Sequence, residues 1–231
     1  MYIEEQTTIS SSGARLAGVL GYPETGVPAY TVLLCPPHPN FAGDMENNVI
    51  AALAREFSRD ALTLRFNYRG IGQSEIALPQ NVSVYDFWND VEETKDYSVP
   101  LCDVEACAAE LAQLSNGAPL VVAGYSFGAI AGLMAGQKMP AAAALIGIAP
   151  PLIRYDFSFL GDCKKPALLI SGTEDFVFSR AASDALVLPP TVRREILDGE
   201  DHFFRDHEAD LASRVRRFIQ EFLPEARTGE K

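Results

Sequence analysis

The sequence predicts an α/β fold: a doubly wound, mainly parallel sheet with helices on both faces and at most a small cap. Three observations carry this. Short continuous apolar runs, suited to strands covered on both faces, alternate with stretches whose apolar residues recur at helical spacing. The 231 residues, 48% apolar and 22% charged, suffice for one such layered domain over 1–231. A Gly-x-Ser-x-Gly, Gly124-Tyr125-Ser126-Phe127-Gly128, stands between the apolar run Leu120–Ala123 and the Ala-rich run Ala129–Ala135. That is the strand–turn–helix setting of a nucleophile elbow.

Taken in order, residues 2–10 and 15–22 read as two strands joined by the turn-rich Ser10-Ser11-Ser12-Gly13, an antiparallel edge hairpin. Tyr30–Cys35 is a continuous apolar run suited to a central parallel strand, stopped by Pro36-Pro37-His38-Pro39. Asn48–Arg59 carries a helical stripe of Val49, Ile50, Leu53, Ala54 and Phe57, and Ala61–Phe66 returns to strand. Val99–Leu114 is helical by the spacing of Val104, Cys107, Ala108 and Leu111. After the elbow, strands are expected at Ala142–Ala149, Ala167–Ile170 and Val192–Leu197, with a helix near Arg180–Leu186. Asp206–Phe222 closes the pattern as an amphipathic helix with Leu211, Val215, Phe218 and Ile219 on one side. Strands alternating with helices imply βαβ units.

Charge and cysteine usage narrow the function classes. The net charge of −12, spread along the chain without a Lys/Arg cluster, makes nucleic acid and anionic membrane surfaces poor partners. The start Met1-Tyr2-Ile3-Glu4-Glu5 has neither a basic region nor an apolar core, and no window has the apolar length of a membrane span. Cys35, Cys102, Cys107 and Cys163 lack Cys-x-x-Cys spacing and read as buried free thiols. The expected location is the cytoplasm.

The chemistry centres on Ser126. A serine hydroxyl is a poor nucleophile at neutral pH and needs a base to take its proton and an acid to orient that base. In a doubly wound sheet these groups come from the carboxyl ends of other strands. Asp175 follows the strand ending at Ile170, and His202 follows the strand ending at Leu197. The chain order serine, acid, histidine is the one an elbow uses. Glu174 is a rival acid beside Asp175, and His207 reads as a surface residue. An oxyanion needs two backbone N–H donors. Phe127, after the nucleophile, is one; Pro37 and Pro39 have none, which leaves His38 and Asn40 in the loop after Cys35.

With these residues in place the chain resembles the α/β-hydrolase superfamily, in the small, nearly lidless group of dienelactone-hydrolase-like and serine esterase proteins. The resemblance runs from about residue 16 to 222. Cys35-Pro36-Pro37-His38-Pro39 is similar to a Cys-His-Pro-His-Pro segment of one such group, with Pro36 replacing its first histidine. Phe66-Asn67-Tyr68-Arg69-Gly70-Ile71-Gly72-Gln73-Ser74 resembles the family's Phe-Asn-x-Arg-Gly-x-Gly-x-Ser turn. The family places its acid at the end of Gly-x-x-Asp, here Asp175, and its histidine in a Gly-x-x-His-Phe type of loop, here Gly199 to Phe203. The resemblance implies a Ser126–His202–Asp175 triad, no organic cofactor and no metal.

Two departures bear on substrate. Residues 76–99 exceed the short loop expected there, and the aromatics Tyr85, Phe87 and Trp88 among acidic neighbours suggest a small cap lining the substrate site together with Tyr125. The alternative is a surface excursion whose aromatics pack on the domain's own side. Between Ala149 and Ala167 there is room only for a short stretch with Tyr155, Phe157 and Phe159, too little for a helical lid, which argues against long-chain lipase action. The expected function is a serine hydrolase cleaving a small acyl ester or thioester through an acyl-enzyme. An acyltransferase or C–C lyase using the same residues, a non-catalytic binding protein of the same fold, and a homodimer remain the alternatives to weigh.

Overall fold

The computed structural model describes residues 1–223; residues 224–231 of the expected single domain lie outside them. Eight strands form one sheet: β1 (Tyr2–Ser11), β2 (Ala14–Pro23), β3 (Thr31–Cys35), β4 (Leu62–Phe66), β5 (Leu120–Tyr125), β6 (Ala142–Ile148), β7 (Ala167–Gly172) and β8 (Val192–Leu197). Their order across the sheet is β1-β2-β4-β3-β5-β6-β7-β8. β1 and β2 make the expected antiparallel edge hairpin, β2 is antiparallel to β4, and every later pairing is parallel.

Among the described residues six helices accompany them: α1 (Asn48–Phe57), α2 (Val84–Thr94), α3 (Ser98–Leu114), α4 (Phe127–Gly136), α5 (Arg180–Ala185) and α6 (Glu208–Phe222). Central strands are buried on both faces, and their side-chain alternation sorts residues between two cores. On β3, Leu33 and Cys35 join the core shared with α2, α3 and α4, whereas Val32 and Leu34 join the core under α1 and α6. This is why the strand sequences read as unbroken apolar runs.

Helix α1 begins where the Asn47 side chain accepts a hydrogen bond from the Val49 N–H, and its whole predicted stripe is buried. Helix α2 differs from expectation. In place of a small cap lining the substrate site, residues 84–94 form a helix started by a Ser83/Asp86 capping box and ended by Lys95 in the left-handed conformation. Its inward residues Trp88 and Val91 are buried in the domain's own core. The arginine-glycine turn after β4 holds it there: Trp88 Nε1–H donates to the Arg69 carbonyl, and the Arg69 guanidinium is paired with the fully buried Asp103 of α3. The same turn is tied down by Met45 N–H donating to Asn67 Oδ1 and by Ser74 Oγ–H donating to the Asn67 carbonyl.

The four cysteines are free thiols; Cys35, Cys107 and Cys163 are buried as expected, but Cys102 is only half-buried because it faces Ser11 and Ser12 at the hairpin edge. Among the described residues no helix is long and apolar enough to cross a membrane.

Candidate active site

The elbow is built from close backbone approaches. A Cβ on Gly124 would lie 1.9 Å from the Gly128 carbonyl oxygen, and one on Gly128 would lie 2.0 Å from that of Cys35, so only glycine lets β5, α4 and the end of β3 meet. Between them Ser126 sits at φ 55° and ψ −117°, a strained conformation for a residue with a side chain. This geometry puts Ser126 at the carboxyl edge of the sheet, just before the first turn of α4. Phe127 is the first residue of that helix, where a backbone N–H has no intrahelical acceptor.

Two other strand ends bring the partners in. The loops after β7 and β8 are pressed together at Gly172, where a Cβ would lie 2.0 Å from the Glu200 carbonyl oxygen, and Glu174 N–H donates to that same carbonyl. Asp175 and His202 therefore meet although 27 positions separate them: His202 Nδ1 lies 2.9 Å from Asp175 Oδ2. On its other side His202 Nε2 lies 3.1 Å from Ser126 Oγ. An ionised Asp175 can only accept from Nδ1–H, which leaves Nε2 free to accept the serine proton. The remaining carboxylate oxygen accepts from the Val177 N–H at 2.8 Å. Tyr125 O–H donates to the His202 carbonyl at 2.9 Å and steadies the histidine loop. Asp175 and His202 are both buried, while Glu174 is exposed and His207 pairs with Glu200 at the surface. Tertiary placement separates the rival acids.

The loop after β3 runs beside the elbow. His38 is 3% exposed, its ring packed edge-on against Phe127 with centroids 4.9 Å apart. Burial pushes its pKa down to about 4, so the ring is neutral at physiological pH. Asn40 does not serve as the second oxyanion donor: its N–H is spent on His38 Nδ1 at 3.1 Å, and its side-chain amide donates to the Tyr85 carbonyl. The reason is local, because the loop turns into the 3-10 turn Pro39–Phe41 and His38 caps it. His38 itself stays at the cavity wall.

A cavity of about 380 Å³ opens beside Ser126. Tyr125 lines it, but Tyr85, Phe87 and Trp88 do not. Trp88 lies behind His38 and Phe127 as part of their support, Phe87 packs on the core, and Tyr85 is exposed on the outer side of α2. The walls come instead from Phe41, Arg154, Tyr155, Phe176, Val177 and Phe203, among others. Of these the sequence named only Phe203, as part of the histidine loop, and Tyr155, as part of a stretch too short for a lid. That stretch indeed holds no full helix, only the 3-10 turn Ser158–Asp162. The adjacency of Phe176 to Asp175 and of Phe203 to His202 was the available signal for the walls. Among the described residues no group of three or more His, Cys, Asp or Glu is placed to share a metal ion.

No family model matches the sequence. Solved structures do resemble the chain. A protein of unknown function from Agrobacterium tumefaciens, put forward as an α/β hydrolase, is 27% identical with a TM-score of 0.76, covering 95% of this chain and 99% of that one. An α/β serine hydrolase homologue from Coxiella burnetii is 25% identical with a TM-score of 0.76, covering 92% and 96%. A lidless α/β serine hydrolase from Xanthomonas campestris is 24% identical with a TM-score of 0.77, covering 96% and 95%, and speaks for the fold alone. The chain has the α/β-hydrolase fold and resembles the serine hydrolases of that superfamily.

Proposed function

We propose that this chain is a serine hydrolase that cleaves a small carboxylic ester or thioester through an acyl-enzyme on Ser126. One observation carries the reading: His202 bridges Ser126 and a buried Asp175 at 3.1 and 2.9 Å, beside a cavity with largely aromatic and aliphatic walls.

In this mechanism Ser126 Oγ attacks the carbonyl carbon while His202 Nε2 takes its proton, and Asp175 stabilises the imidazolium and holds its tautomer. Charge forms on the former carbonyl oxygen, where the Phe127 N–H at the start of α4 is one donor and the His38 N–H the other. The bond to the leaving alcohol or thiol breaks as His202 returns the proton to it. Water then attacks the acyl-serine with His202 again as base, releasing the acid and regenerating Ser126. A cavity of this volume and the short β6–β7 connection support small acyl groups over long chains.

The test is intact-protein mass spectrometry after treatment with a fluorophosphonate, beside Ser126→Ala and His202→Ala. The expected result is one adduct on Ser126, absent in Ser126→Ala and strongly slowed in His202→Ala. A wild-type protein that takes no adduct under any condition overturns the reading.

A further inference from the structure

Of the side chains lining the cavity, Arg154 alone carries a fixed charge among the described residues. It stands in a chain of net charge −12, at the edge of a largely apolar pocket. Its guanidinium is parked rather than bound. The Cζ lies 5.2 Å from the ring centroid of Phe41, itself 60% exposed at the cavity mouth. Its one carboxylate contact among the described residues is Nε to Glu92 Oε1 at 3.5 Å, too long for a hydrogen bond.

Glu92 is in any case committed elsewhere. It accepts a short hydrogen bond from the Tyr155 hydroxyl and pairs with Lys95 Nζ at 3.2 Å. Lys95 in turn lies over the Tyr155 ring, 4.6 Å from its centroid. Glu92 is therefore shared between two cations rather than reserved for Arg154. The planar guanidinium fork matches a carboxylate in bidentate fashion, and stacking on an aromatic face keeps it oriented while its outer N–H groups stay available. The side chain is 40% exposed, so a ligand entering the cavity can reach it.

We propose that Arg154 is a specificity-determining residue and that the substrate is an ester or thioester bearing a second, anionic carboxylate. The carboxylate lies against Arg154 at the mouth, and the apolar part of the substrate fills the space between Phe41, Tyr155, Phe176 and Val177. The reactive carbonyl then faces Ser126. This inference rests on the hydrolase reading and narrows it.

The experiment compares kcat/KM for p-nitrophenyl hemiglutarate and for p-nitrophenyl valerate, an anionic and a neutral acyl group of equal chain length. It uses wild type, Arg154→Met, Arg154→Lys and Ser126→Ala. Wild type is expected to favour the hemiglutarate. In Arg154→Met that preference falls by about 10- to 100-fold, the range for a hydrogen bond to a charged group, mainly through KM. Arg154→Lys restores part of it, and added salt weakens it in wild type. An anionic-to-neutral ratio unchanged by Arg154→Met overturns the assignment. Hydrolysis of neither ester by wild type counts against the hydrolase reading instead. The anion site is then read by calorimetry with 4-phenylbutyrate against 4-phenylbutanamide: a preference for the acid that disappears in Arg154→Met upholds the assignment, and equal affinities overturn it.

Discussion

Ser126 lies between two aromatic walls of opposite character. Towards α2, the rings of Tyr68, Trp88, Phe127 and His38 pack edge to face or tilted with centroids 4.9 to 6.1 Å apart, and each is 3% exposed or less. Towards the β7 and β8 loops, Phe176 is 64% and Phe203 37% exposed, although both stack near His202. The buried wall has no freedom to adapt to a ligand. It fixes the loop and helix end that carry the two backbone donors of the proposed mechanism, which must be in place before charge develops. The open wall leaves apolar surface to be covered, and a ligand is what would cover it. In the proposed hydrolase, one side of the serine serves chemistry and the other recognition.

Substitutions can break this division, starting with the group between the walls. Ser126→Ala should lower kcat for p-nitrophenyl butyrate by about a thousandfold or more with little change in the urea unfolding midpoint. Retained turnover would sink the assignment of the nucleophile.

Next in size is the buried wall. Trp88→Ala empties a site that is fully enclosed and should cost about 3–5 kcal/mol in urea unfolding. Unchanged stability would mean that α2 is not an integral part of the domain.

His38 gives a pH signature of the same wall. The unfolded chain takes up a proton near pH 6.5, whereas burial holds the folded ring neutral down to about 4. The contribution is fully present above about pH 6.5 and is lost as pH falls towards 4, with an upper bound on the order of 3 kcal/mol. His38→Gln, which keeps an acceptor for the Asn40 N–H, should flatten the decline in unfolding free energy between pH 6.5 and 4.5. Identical slopes for the two proteins would show that His38 does not titrate in that window.

The smallest effect belongs to the open wall. Phe176→Ala should change stability by less than about 0.5 kcal/mol and raise KM for an aryl ester a few-fold by removing roughly 1 kcal/mol of apolar contact. A larger loss of stability than of affinity would place Phe176 with the core residues.

The two walls were not equally legible. The elbow was readable because its determinants are adjacent: an apolar strand, two glycines at sterically closed positions and a small-residue helix. Helix α2 had a readable signal too, Ser83 and Asp86 as a capping box followed by Val84, Phe87, Trp88 and Val91 on one face. Its many acids and its position at the sheet's carboxyl edge favoured a cap instead. What removes that reading is the Arg69 carbonyl, 19 positions away, which satisfies the indole N–H inside the core. Asn40 failed as a donor for the opposite reason, since a ring two residues back captures its N–H.

From the sequence alone came the order and type of nearly every strand and helix, the elbow, and the serine, acid and histidine positions at three strand ends. Those properties repeat over two to four residues along the chain, so local pattern suffices to read them. Tertiary structure alone decided that Trp88 is core while Phe176 is surface, and that Arg154 stands at the cavity mouth. Burial and pairing of this kind depend on groups brought together from distant positions, and identical side chains become wall or scaffold according to what lies behind them.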